Sequence, residues 1–98
     1  MPTPTLHSLD LPEEVQETLE LYLTQLQKDW GTELEGVLLF GSAARGDFIA
    51  GRSNLNIMVI VRHLPVDALQ RAGKLHRQWG KYRIVAPLMM TQEDLNRS

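Results

Sequence analysis

Two apolar runs punctuated by glycine constrain this chain more than any other feature. The first, Leu34-Glu-Gly-Val-Leu-Leu-Phe40, stops at Gly41-Ser42. The second, Leu55-Asn-Ile-Met-Val-Ile-Val61, is nearly continuous in apolar side chains. Runs of this length, rich in Val, Ile and Leu and bounded by turn residues, predict strands. A near-continuous run further predicts a strand buried on both faces. Between them the Gly41-Ser42 turn and a loop through Gly51 are expected.

Helical spacing appears on either side of this pair. Pro12 with Glu13 and Glu14 suits a first helical turn, where a missing N–H costs nothing and acids meet the positive end of the helix. Val15, Leu19, Tyr22, Leu23, Leu26 and Trp30 then form one apolar stripe, and Gly31 stops it. Pro65 is expected to open a second long helix with Val66, Leu69, Ala72, Leu75 and Trp79 inward and Gly80 as its end. A third strand is expected over about 83–89, with Pro87 placing it at an edge or ending it early. Thr91 and Asp94 make a capping box for a final helix that has barely begun at Ser98. The order implies an α/β fold, a small mixed β-sheet with helices packed on it. Residues 1–10, with two prolines, are expected to be a flexible leader. Residues 11–98 form a single domain that reads as the front of a longer protein, a minimal domain with a short tail being the alternative.

Composition narrows the function classes. Ninety-eight residues allow one small core. No run of 18 apolar residues is available for a membrane helix, and the N-terminus lacks the pattern of a secretory signal, so a cytoplasmic location is expected. Without cysteine there are no disulfides, thiolate metal sites or thiol nucleophiles. The net charge of −2 conceals a segregation. Residues 1–35 hold eight acids against Lys28, while residues 62–83 hold six bases against Asp67. Arg71, Lys74, Arg77 and Lys81 form a basic stripe that could meet nucleic acid, but a solvated outer helix face is the simpler reading and nucleic acid is not the expected partner. His7, His63 and His76 bracket no acid and receive no role. Trp30, Trp79 and Tyr22 are expected in the core.

The chemistry concentrates at the end of the first strand. Glycine permits close approach of backbone to a phosphate, serine supplies a hydroxyl, and Ser42-Ala-Ala-Arg45 is expected to start a short helix with free amides. The segment Gly41-Ser42-Ala-Ala-Arg45-Gly46, followed by the apolar Leu55, Ile57, Val59, Ile60 and Val61, resembles the nucleotidyltransferase superfamily of the DNA polymerase β type, particularly its minimal bacterial members. The resemblance spans about residues 34–90. It implies the polymerase β-like fold and a nucleotide site at Gly41, Ser42 and Arg45, although an ion pair with Asp47 is the safer reading of Arg45. It also implies metal-binding acids at positions 54 and 56 and a third acid on a later strand.

Here the chain departs from the pattern. Positions 54 and 56 are Asn54 and Asn56, and no Asp or Glu lies between Tyr82 and Met90. Nucleotidyl transfer uses two divalent ions, and Mg2+ is usually held by carboxylates together with substrate phosphates. The expectation is therefore a catalytically inactive nucleotidyltransferase-like domain serving as a binding or regulatory module, with no cofactor. Its expected partner is a C-terminal domain or, by the same resemblance to antitoxin-like members, a helical HEPN-like protein. Two alternatives belong to other classes. One is an active transferase using Mg2+ and an NTP, with ligands supplied from elsewhere; the other is a nucleic-acid-binding module using the basic helix. Asn54 and Asn56 are expected to hydrogen-bond nearby loop backbone.

Overall fold

A computed structural model describes residues 11–97, so the leader expected at 1–10 lies outside the described residues. The first helix, α1 (Glu13–Trp30), begins after Pro12 and ends where Gly31 adopts φ 53°. A 3-10 turn (Gly31–Glu33) leads into β1 (Leu34–Phe40). The four-residue α2 (Ser42–Arg45) follows directly, then β2 (Asn56–Val61), α3 (Ala68–Trp79), β3 (Leu88–Thr91) and α4 (Gln92–Arg97). Strand order is β1-β2-β3, with β1 antiparallel and β3 parallel to β2. The parallel pair is joined through α3, as parallel strands require. The fold is thus a small mixed sheet with helices packed on it.

One face of that sheet is built into the core. Ile57, Val59 and Val61 of β2 meet Leu19, Tyr22, Leu23, Leu26 and Trp30 of α1 and Leu75 of α3 in one buried cluster. On β1 the alternation is corrected by a bulge. Leu34 pairs with Val61 and Gly36 with Ile60, leaving Glu35 as the extra residue. A one-residue insertion reverses which side chains face inward beyond it. Leu34 and, after the bulge, Val37 and Leu39 therefore all pack toward the core. The helices are joined above it by Tyr22 edge-on to Trp79 (centroids 5.4 Å apart) and by Trp79 Nε1 donating to Gln25 Oε1 at 3.2 Å. Arg71 lies 4.6 Å over the Trp30 ring.

Three expectations are corrected. The second long helix starts at Ala68, not at Pro65, and Val66 and Leu69 are exposed rather than inward. At 100° per residue, Ala68, Ala72, Leu75 and Trp79 share one narrow stripe. Leu69 falls about a quarter-turn away from it, and Val66 precedes the helix. The third strand occupies 88–91 rather than 83–89. Ile84 makes only an isolated bridge to Leu55, and Pro87 cannot donate to a ladder, so continuous pairing begins after it. The second strand likewise starts at Asn56, with Leu55 held by that bridge. The capping box at the start of α4 is present. Thr91 N–H donates to Asp94 Oδ2 and Asp94 N–H to Thr91 Oγ1, both at 3.2 Å. The hydrogen bond from the Thr91 backbone holds the Asp94 carboxyl below its ordinary value.

Candidate functional site

The end of β1 and the start of β2 lie together because the two strands are antiparallel, with Phe40 opposite Asn56. Gly41 makes the corner with φ 77° and ψ −148°, a region essentially confined to glycine. A Cβ placed on Gly41 would stand 2.7 Å from Asn56 Nδ2. Its carbonyl accepts the amides of Ala44 and Arg45, both at 3.1 Å, which fixes the first turn of α2. Ala43, 2% exposed, anchors that turn in the core. Gly46 then closes it in the left-handed conformation. The short helix expected from Ser42-Ala-Ala-Arg45 is therefore formed, and the two glycines make it possible.

The structure joins some of the expected site residues and separates others. Gly41, Ser42 and Asn56 come together at the corner. Arg45 turns to Asp47 instead (3.5 Å), with both side chains well exposed. Asn54 is exposed in the loop before β2. The expected hydrogen bonds from Asn54 and Asn56 to loop backbone are not made. That loop satisfies itself: the Ile49 carbonyl takes the amides of Arg52 and Ser53, Ser53 Oγ accepts the Ile49 amide at 3.0 Å, and Arg83 Nη1 donates to the Arg52 carbonyl at 3.4 Å. The Ser42 hydroxyl and both carboxamides consequently have no hydrogen-bond partner among the described residues.

Arg83 escaped the sequence reading as a neighbour of this corner. It sits at φ 65°, and its carbonyl accepts the Leu55 amide at 2.8 Å, which sets it beside Asn54 and Asn56. A left-handed arginine has no compositional signature, so nothing in the sequence could have pointed to it. Concavities lie elsewhere: one of about 470 Å3 runs along the start of α1, beside Leu11, Gln16 and Glu20, and two lie between α1 and α3. One of about 310 Å3 is lined by Leu21, Gln25, Trp79, Lys81 and Tyr82, and one of about 230 Å3 by Asp29, Trp30, Arg71 and Lys74 among others.

Chemically, the corner presents the Ser42 hydroxyl and the neutral Asn56 carboxamide. It can donate and accept hydrogen bonds to a polar ligand. It does not fit Mg2+, which favours carboxylate oxygens. Among the described residues no group of three or more His, Cys, Asp or Glu could hold a metal ion. No described helix is long and apolar enough to cross a membrane. Set against known proteins, the chain matches no family model, no curated protein and no solved structure.

Proposed function

We propose that the chain is a nucleotidyltransferase-like domain of the polymerase β type that has lost transfer chemistry and serves as a binding or regulatory module. The observation that carries this reading is the corner itself. A strand, Gly41-Ser42, a one-turn helix and a second strand converge, with the Asn56 carboxamide against Gly41 where the family's pattern calls for a metal-binding acid. Leu88, on the outward side of the neighbouring strand, offers no third acid. Replacing ionised oxygens by amides removes the formal charge that would hold two divalent ions close together. What remains suits hydrogen bonding to a nucleotide or to the backbone of a partner, such as a C-terminal domain or a helical HEPN-like protein.

Calorimetry with ATP, GTP and CTP, in the presence and absence of Mg2+, tests the reading. The expected result is a heat of binding independent of Mg2+, with the nucleotide recovered intact. Mg2+-dependent binding accompanied by nucleotide turnover would overturn it in favour of an active transferase.

A further inference from the structure

The two edges of the sheet are treated differently. The β3 edge is short, four residues, follows directly after Pro87 and runs straight into α4. Short edge strands and proline are common defences against unwanted strand pairing. The β1 edge has seven residues, and among the described residues nothing pairs with its outer side. Its one charge, Glu35, sits at the bulge, so Gly36-Val-Leu-Leu-Phe40 beyond it is uncharged. All four apolar side chains of that stretch retain surface. Val37 and Leu39 are only half-buried although they point inward, and Leu38 and Phe40 remain 47% and 37% exposed.

We infer that this edge pairs with the β1 edge of a second copy of the chain, antiparallel and centred on Leu38, to give a continuous six-stranded sheet. The register follows from the side chains. Centring on Leu38 sets Val37 opposite Leu39 of the other copy on the core side. On the outer side it sets Phe40 opposite Gly36, where a ring can lie over the bare backbone. Glu35 falls outside the five paired residues, so no like charges oppose one another and no charge is buried. The arrangement is isologous and closes on itself. The ribbon covers less than the roughly 800 Å2 per partner of a standard interface, so the association depends on concentration. It places the two Gly41 corners about 20 Å apart, at opposite ends of the ribbon. The pairing stands independently of what the corner binds.

Sedimentation equilibrium over a range of concentrations is the test, with circular dichroism confirming the fold of each variant. The intact chain is expected to approach twice 11.1 kDa at high micromolar concentration. Leu38→Lys, at an exposed position that a monomer tolerates, should weaken the dimer at least tenfold. Leu88→Lys, on the same outer face but at the far edge, should leave it unchanged. A chain that stays monomeric at every concentration overturns the inference. So does a dimer indifferent to Leu38→Lys, and so does dissociation by Leu88→Lys, which would assign the contact to stacking of sheet faces.

Discussion

On one face of β2, Ile57, Val59 and Val61 retain 1%, 0% and 0% of their surface, sealed by α1 and α3. On the other, Met58 lies in a row with Leu38 and Leu88, which keep 47% and 51%, and the row toward the corner ends in Phe40 and Asn56. The strand is apolar almost throughout, so the difference comes from what packs against each face and not from the strand itself. The inner face holds the fold together. Apart from Ile60, which is 3% exposed, the outer face has apolar side chains with surface to spare and, at one end, polar groups with unused hydrogen-bonding capacity. Recognition is therefore expected on the outer side, where a ligand or partner costs the core nothing.

The largest effect should separate the two faces directly. Leu26 is fully buried, and Leu26→Ala is expected to cost about 3 kcal/mol in urea denaturation. Leu38→Ala, read at a concentration where the chain is monomeric, should cost under about 1 kcal/mol. Equal losses would break the contrast between the faces.

Next comes the corner where the faces meet. Gly41→Ala places a side chain at a positive φ and drives it into Asn56, for an expected loss of about 2 kcal/mol. Adding Asn56→Ala should restore part of that loss by removing the clash while leaving the backbone strain. A double variant no better than Gly41→Ala alone would show that the two residues do not touch.

A smaller effect probes a flaw in the inner face. The Tyr22 hydroxyl is buried without a hydrogen-bond partner among the described residues. Tyr22→Phe removes an unsatisfied group and should stabilise the fold by about 1 kcal/mol. Burial also raises the Tyr22 pKa above its ordinary 10.0. The folded chain then keeps a proton that the unfolded chain loses, so stability should fall as pH rises beyond about 10. Tyr22→Phe should flatten that fall. Smallest of all, Arg45→Ala breaks an exposed ion pair and should change stability by less than about 0.5 kcal/mol.

Much of the fold is legible in local signals. Pro12 with its two acids, Gly31, Gly41-Ser42-Ala-Ala-Arg45-Gly46 and the Thr91–Asp94 box each act within a few residues, and each marks the element it belongs to. What escaped the sequence depends on distant partners. The Glu35 bulge exists only relative to β2. The displacement of β3 depends on where a ladder can resume after Pro87. The outward turn of Leu69 depends on which stripe of α3 reaches the sheet. At the candidate site, Gly41 and Ser42 were readable from their place after a strand. The free carboxamides were not, because the 49–53 loop satisfies its own backbone, and neither was Arg83, which is brought there by the Leu55 amide.

We propose that Asn54 and Asn56 stand at the metal positions of a nucleotidyltransferase-type corner without its charges. Mg2+ titration of the intact chain beside the Asn54→Asp/Asn56→Asp variant tests it most directly. Placing carboxylates at positions 54 and 56 should raise Mg2+ affinity about tenfold or more over the unaltered chain. Unchanged affinity, in a variant that circular dichroism shows to be folded, would contradict this placement of the site.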